Sequence, residues 1–364
     1  MNIVINAVLA FEEARGVGRY FNNLLPEIAK NDKKNQYYIY YGKWMKKYSF
    51  LKVEQENIHF ICLDIKNNQI YRNLYLAIIL PLKSKKYKPD VYFLIDTQAT
   101  LLKPCKILST IHDLAEYQVP EKYSKKQAYI RRRIVKRQIK LSDQIITVSD
   151  YSKNDICRRF GVPKDKIHVI YNSLANSQQN MEVFNEPENY FLFVSEIEKA
   201  KNLEVLIRAF SLLDEKYKEK FKIEVVGKHG NDYDRLQTII ANNNLQDKVH
   251  FNGFISDEKL KEMYAKAYAF VFPSFFEGFG LPVIEAMGNN TPVICSDITS
   301  IPEVGGEAVL TFNPYKAEEL KDKMEYLIQN KDVRKEMILK GQVRLQEFEP
   351  SKLIREFMNV LNLF

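Results

Sequence analysis

The feature that most restricts the fold of this chain is an alternation repeated along nearly all of its 364 residues: short runs rich in β-branched and aromatic side chains, each followed by a longer stretch of helical periodicity. Strands buried on both faces read as continuous apolar runs, and parallel strands need long crossovers, so the pattern predicts βαβ units and parallel sheets covered on both sides. Seven such runs fall in the first half, at Asn2 to Ala7, Tyr37 to Tyr41, Ile58 to Leu63, Val91 to Leu94, Lys106 to Ile111, Gln144 to Val148 and Ile167 to Ile170. Six fall in the second, at Tyr190 to Val194, Lys222 to Val226, Val249 to Phe251, Ala269 to Phe272, Pro292 to Cys295 and Ala308 to Thr311. Among the helices expected between them are Gly18 to Lys30, Asn68 to Leu82, Lys125 to Lys140 and Tyr151 to Phe160, and others begin at Leu203, Glu258 and Leu281. The fold class is therefore α/β, with two Rossmann-like parallel-sheet domains.

Between the two sets lies NSLANSQQNMEVFNEPEN, Asn172 to Asn189, which is polar, Asn-rich and without periodicity. Domains are expected at 1–175 and 190–347, a linker at 176–189, and at 348–364 an amphipathic helix able to pack back across the first domain. A net charge of +8 conceals an asymmetry: residues 1–184 carry +14 and residues 185–364 carry −6. A basic half suits nucleic acid, an anionic membrane surface or a phosphorylated ligand. Nucleic acid is disfavoured, because aromatic residues are not interleaved with the basic clusters and no nucleic-acid-binding module is present. Cys62, Cys105, Cys157 and Cys295 are widely spaced without a CxxC pair, a pattern of buried free thiols in a reducing cytosol. MNIVINAVLAF reads as a first strand and not a signal peptide, since it lacks a basic n-region. The apolar run Leu74 to Leu82 is about half the roughly 20 residues that span a bilayer.

Open parallel sheets bind ligands beyond the carboxyl ends of their strands, so motifs there carry the functional reading. GVGRY, with Gly16 and Gly18, follows the first strand and opens a helix, a place where backbone N–H groups can approach a phosphate. It lacks the third glycine of a dinucleotide fingerprint, which disfavours an oxidoreductase, and it suits a structural turn as well as a ligand loop. In STIHDL, His112 directly follows a strand, where a strand-ending turn is the simpler explanation and contact with a sugar hydroxyl the functional one. The remaining histidines have no metal-ligand spacing. The strongest signal is FPSFFEGFGLPVIEAMGNN: Glu277 ends a strand, Gly278, Phe279, Gly280 and Leu281 lead into a helix, and Glu285 lies within it. A carboxylate beside such a loop can accept from sugar hydroxyls, and one a little over a turn later can hold a ribose diol.

The arrangement E-G-F-G-L-P-x-x-E resembles the signature of retaining glycosyltransferases of the GT-B fold, specifically glycosyltransferase family four. The resemblance extends over nearly the whole chain, through GVGRY, IHD, VSDYSKNDICRRFGVPKDKIHVIYNS, KNLEVLIRAF and VHFNGFIS. It implies two Rossmann-like domains facing across a cleft and transfer of a hexosyl unit, mannosyl, glucosyl or similar, from a nucleotide diphosphate sugar with retention at the anomeric carbon. By that likeness Glu285 would hold the ribose hydroxyls and Glu277 the donor sugar. The backbone at Phe279 to Leu281 would meet sugar and phosphates, with Gly18 close to the diphosphate. Lys201 in KAKNL would neutralise the leaving diphosphate, and His112 would face the donor sugar from the other domain. One departure is notable: Ser195 and Glu196 stand where the family usually carries Gly-Arg or Gly-Thr, so a second phosphate-binding cation is replaced by an acid.

Asp232-Tyr233-Asp234 has the DxD form of metal-dependent glycosyltransferases of another fold, but here it opens a helix, where acids serve the dipole and the cap. No metal and no cofactor are expected. The helix Lys125 to Lys140 carries eight Lys or Arg, including Arg131, Arg132, Arg133, Lys136 and Arg137, beside an apolar side. It suits anionic lipid headgroups or phosphate on an acceptor, or equally a solvated helix with snorkelling stems. The expected partners are a UDP- or GDP-sugar and a saccharide or lipid-linked acceptor, at the cytoplasmic face of the membrane during surface polysaccharide assembly (O-antigen, capsule or exopolysaccharide). The alternative is a non-catalytic sugar-nucleotide-binding subunit, for which Glu196 is the only hint.

Overall fold

The computed structural model describes residues 1–10, 16–65, 68–98, 100–174 and 186–364; most of the expected linker lies outside the described residues. The chain divides into two compact units, Met1–Ala175 together with Phe348–Phe364, and Asn176–Glu347.

The first unit contains a parallel sheet of seven strands: β1 (Asn2–Asn6), β2 (Gln36–Gly42), β3 (Ile58–Leu63), β4 (Val91–Leu94), β5 (Lys106–Thr110), β6 (Gln144–Thr147) and β7 (Ile167–Val169). Their spatial order is β3-β2-β1-β4-β5-β6-β7. The second unit has six parallel strands: β8 (Tyr190–Val194), β9 (Lys222–Val226), β10 (Val249–Phe251), β11 (Ala269–Phe272), β12 (Val293–Ser296) and β13 (Val309–Phe312). These run β10-β9-β8-β11-β12-β13. Both orders reverse once, between β1 and β4 and between β8 and β11. At such a point the loops leave the strand ends in opposite directions and open a crevice, which makes it the expected ligand position.

Successive side chains of a strand point to opposite faces, and here both faces are covered. Ile3, Ile5 and Phe93 enter one core cluster while Val4, Tyr92 and Leu94 enter another on the opposite side. The C-terminal helix Pro350–Leu361 supplies Leu353, Ile354, Phe357 and Leu361 to the same cluster as Leu24 and Ile28 of the helix Gly16–Asn31. The Phe357 ring lies 5.5 Å from that of Phe93. Burying such side chains contributes roughly 1.5–3 kcal/mol each, so the last segment of the chain is tied firmly to the first unit.

Three expectations are corrected. Of the four cysteines, all free, only Cys295 is buried; Cys105 and Cys157 are half-buried and Cys62 is exposed, because the edge strand β3 leaves one side open. The helix expected at Asn68 to Leu82 contains a π-helical turn at Tyr75–Ile79, between Gln69–Leu74 and Leu80–Ser84, and much of its apolar surface faces solvent. Asp232 occupies the N-cap position of Tyr233–Asn242 without capping it, since its carboxylate is taken by Arg235. Among the described residues no helix is long and apolar enough to cross a membrane.

Candidate active site

In the second unit, the loops that follow β8 and β11 flank the switch point, and they carry the two side chains with the most direct chemistry. Lys201 ends a short 3-10 turn, Lys199–Lys201, and Glu277 lies in the loop after β11. Lys201 Nζ is 2.7 Å from Glu277 Oε1, and both groups are only partly exposed. An ammonium has three donors, so Lys201 can hold Glu277 and still present N–H bonds to an anion.

The next residue, Asn202, explains why this lysine is so placed. Its backbone is left-handed, at φ 56°, a conformation that asparagine tolerates better than most residues and that turns the chain sharply into the helix Leu203–Ser211. The buried Asn202 amide donates to the carbonyls of Pro273, at 3.1 Å, and Pro314, at 2.8 Å. One side chain thus joins the loops after β8, β11 and β13. A backbone bond from Phe275 N to Ala200 O, 2.9 Å, fastens the first two again.

Glu277 is held from the other side by Ser300, whose Oγ lies 2.9 Å from the Glu277 carbonyl and 2.8 Å from that of Phe279. Gly280, at φ 119°, then reverses the chain into the helix Leu281–Gly288, with Pro282 at its start, where a missing N–H costs nothing. The backbone of Gly278 to Leu281 leads to this helix's positive end, and Glu285 is buried one turn inside. Ser195 and Glu196 adjoin Gly227, where an added Cβ would fall 1.8 Å from the Ser195 carbonyl oxygen. Two backbones touch there, so the loop that carries the atypical Glu196 is tightly seated.

The other candidates belong to the first unit. Gly16, at φ 44°, and the buried Gly18 open the helix after β1. His112, just past β5, has Nε2 3.1 Å from the Ile95 carbonyl. A carbonyl only accepts, so Nε2 carries the proton and Nδ1 is the acceptor of the neutral ring. Tyr20 meets this imidazole edge-on at 5.0 Å, and burial pushes its phenol up to about 12. Asp113 accepts from Ala115 N at 2.9 Å, closing the turn. Close by, Glu116 is buried with Oε1 lacking a hydrogen-bond partner, and burial pushes its carboxyl up to about 7.

The basic helix Lys125–Leu141 spends much of its charge within its own unit. Arg132 Nε donates to Glu116 O at 2.8 Å, and Arg137 reaches the carbonyls of Thr100 at 3.1 Å and Leu101 at 2.8 Å. Arg133 binds the Tyr129 hydroxyl at 2.8 Å, Arg131 stacks over Tyr123, and Lys136 is exposed. Asp232 grips Arg235 through both oxygens, at 2.7 and 2.8 Å. Among the described residues no group of three or more His, Cys, Asp or Glu could hold a metal ion.

The candidates thus separate by unit: Lys201, Glu277, Gly278 to Leu281 and Glu285 gather at the β8/β11 switch point, while Gly16 and Gly18 open the helix Gly16–Asn31 and His112 stands just past β5. Sequence reasoning missed Asn202 and Ser300, which position the site without chemistry of their own. An asparagine at a strand-to-helix turn was a usable signal for the first; a lone serine offered none for the second.

Comparison with known proteins matches residues 176–344 to the family described as Glycosyl transferases group 1 and residues 14–175 to Glycosyltransferase Family 4. The O-antigen chain mannosyltransferase B of Escherichia coli is 28% identical over 268 residues, 71% of this chain and 70% of its own length. The O-antigen chain mannosyltransferase RfbU of Salmonella typhimurium is 38% identical over 206 residues, 56% of each chain. A glycosyltransferase from Rickettsia africae superposes with TM-score 0.72 at 19% identity, over 99% of this chain and 97% of that one. Anabaena Alr3699/HepE in complex with UDP-glucose does so with TM-score 0.71 at 17% identity, over all of both chains.

Proposed function

This chain belongs to the family 4 glycosyltransferases, with a group 1 domain as its second half, and from that premise we propose that it transfers a hexosyl unit from a nucleotide diphosphate sugar to a saccharide acceptor, with retention. The observation that carries the reading is the Lys201–Glu277 pair at the β8/β11 switch point, beside the amino end of the helix Leu281–Gly288. A diphosphate arriving there finds a fixed ammonium and helix N–H groups already oriented, so its charge is stabilised without reorganisation. Glu277 accepts from the donor sugar's hydroxyls, and Glu285 from the ribose diol.

No side chain of the set is an obvious nucleophile, and the step is a front-face displacement. The bond from the anomeric carbon to the diphosphate oxygen breaks, and the acceptor oxygen bonds to the carbon on the same face. The acceptor's hydroxyl proton passes to the departing phosphate oxygen, whose negative charge Lys201 offsets. No metal takes part in this scheme; with Glu196 in place of a second cation, Lys201 carries most of the neutralisation. The two mannosyltransferases named above support a role in surface polysaccharide synthesis; a lipid-linked acceptor at the inner face of the cell membrane is part of the same proposal. The donor in this proposal is a UDP- or GDP-sugar, and the mannosyltransferase relatives favour mannose as the sugar it carries.

The test is a thermal-shift and hydrolysis screen of the purified chain against UDP-, GDP-, dTDP- and ADP-sugars, with and without chelator, and with Glu285→Ala as control. Chelator-insensitive stabilisation by one nucleotide, lost in the variant, is the expected result. Stabilisation without hydrolysis or transfer would point to the non-catalytic subunit, and no response to any donor would refute the donor site.

A further inference from the structure

Among the described residues, Tyr315 is the most exposed large apolar side chain, at 74%, and it stands beside the candidate site. It follows β13 in a turn where the Asn313 side-chain oxygen accepts from Tyr315 N at 3.0 Å and Asn313 N donates to the Glu319 carboxylate at 3.0 Å. Its ring stacks on that of Phe275, with centroids 4.9 Å apart and planes 26° from parallel. Phe275 lies in the loop that carries Glu277 two residues later, so their Cα atoms are at most about 7 Å apart. The turn is latched to the site by the bond from Asn202 to the Pro314 carbonyl, and Phe275 by its bond to Ala200, next to Lys201. The tyrosine ring is thus backed by a second ring on a fixed loop while most of its surface stays in water.

The surroundings of the ring identify what it can receive. Asn313 is half-buried, Pro314 is buried, and the exposed Lys316 is paired with Glu319 at 2.8 Å, so the apolar surface in this turn is one ring wide and the neighbouring charge is balanced. A stable protein partner needs roughly 800 Å² on each side, far more than one ring offers. A pyranose fits, being apolar across its C–H face and polar at its rim, and a rigid tyrosine gives that contact at little cost in conformational entropy. The nucleotide is expected on the other face of the sheet. Helices Leu203–Ser211 and Ala317–Gln329, which follow the Lys201 and Tyr315 turns, share a core cluster with Val271 of β11. The helix Leu281–Gly288 starts on the opposite face: a Cβ on Gly280 would lie 3.9 Å from the ring of Phe272, the neighbour of Val271 that points away from that cluster. We infer that Tyr315, backed by Phe275, is a sugar-stacking platform, which binds an internal unit of an acceptor oligosaccharide whose reacting end lies at Lys201 and Glu277, and so selects acceptors longer than a monosaccharide. That the saccharide is the acceptor rests on the transferase reading above, whereas the platform itself does not.

The experiment uses no nucleotide sugar, so its failure and that of the donor screen are distinguishable. Retention of the full chain is measured on immobilised neutral saccharides, from mono- to tetrasaccharides of mannose, glucose, galactose and rhamnose. Tyr315→Ala, Tyr315→Phe and Tyr315→Trp are compared with Tyr326→Ala, which truncates another exposed tyrosine of the same unit, and an unchanged thermal transition reports that each variant is folded. The wild type is expected to be held by the longer saccharides of at least one series more strongly than by the monosaccharide. Tyr315→Ala loses about tenfold in affinity, whereas Tyr315→Phe and Tyr315→Trp stay within about twofold of the wild type, because the flat face and not the hydroxyl makes the contact. Tyr326→Ala binds as the wild type does. Equal retention of Tyr315→Ala and the wild type would overturn the inference, as would losses in the Phe and Trp variants equal to that of Ala, or failure of the wild type to be held by any saccharide. So would displacement of the bound saccharide by UMP or GMP, which would give the ring to a nucleobase, or a dimer in sedimentation velocity that Tyr315→Ala dissociates, which would give it to a second copy.

Discussion

Glu116→Gln should alter the pH dependence of stability in a direction and size that follow from one carboxyl. Glu116 is 2% exposed in the short helix Ala115–Gln118, with Oε1 lacking a hydrogen-bond partner and Oε2 3.8 Å from Arg131 Nε, too far for a hydrogen bond. Burial is the largest influence and the charges of Asp113 and Asp96 add to it, so the carboxyl is pushed from 4.5 up to about 7. A raised carboxyl means that the folded state holds its proton more tightly than the unfolded chain. The stabilisation is therefore complete below pH 4.5 and is lost as pH rises through about 7. The full gap corresponds to roughly 3 kcal/mol, of which roughly 2 kcal/mol is lost between about pH 5.5 and 8. For a unit of this size that is roughly 4–8 °C in Tm. Glutamine keeps the shape and removes the titration, so the Tm difference, variant minus wild type, should rise by that amount from acid to alkaline buffer. Scanning calorimetry of both proteins at the two pH values and constant ionic strength measures it, and subtraction cancels every group they share. Parallel pH profiles would show that this carboxyl is not destabilised by its surroundings, and the argument would fail.

Other outcomes follow from the second unit. Lys201→Ala should lower kcat by about 10²–10³-fold, the usual cost of removing one preorganised charge, and Lys201→Arg should recover part of it in a transfer assay. In a double-mutant cycle on donor affinity, Lys201→Ala and Glu277→Ala should be non-additive by about 1 kcal/mol or more, because each group loses its 2.7 Å partner when the other is removed. Asn202→Ala should cost roughly 2–4 kcal/mol in urea unfolding, from two lost hydrogen bonds to buried carbonyls and a left-handed backbone. Gly227→Ala, which drives a Cβ onto the Ser195 carbonyl at 1.8 Å, should abolish soluble expression or cost more than about 3 kcal/mol. Its control is Gly253→Ala, at φ 65° with nothing within 4 Å of the added Cβ, which should cost only about 1 kcal/mol in the same assay.

Much of this was legible from local pattern. All thirteen strands are present among the described residues where apolar runs fall, because a strand covered on both faces has to be apolar throughout. Glu277 and Lys201 were each recognisable from their motifs, but their contact was not: 76 residues separate them, and only the adjacency of β8 and β11 brings their loops together. Ser300 was silent for the same reason. The arginine run was plain as charge, whereas its use on carbonyls of its own unit depends on which loops pack beside the helix. Cys62 was misjudged because an apolar strand does not reveal that it lies at a sheet edge. The exposure of the apolar stripe on segment 69–84 was not legible, since periodicity reports that a face is apolar and not whether anything covers it.

The sequence by itself determined the α/β class, the succession of elements and the identity of the groups able to do chemistry, because these depend on side-chain type and short-range spacing. Strand order, the switch points, the Lys201–Glu277 pair, the Asn202 latch and the solvent-facing apolar ridge were decided only by tertiary structure. They are relations between distant segments, and the free energy that selects them comes from burying many side chains at once, which no local window of residues contains.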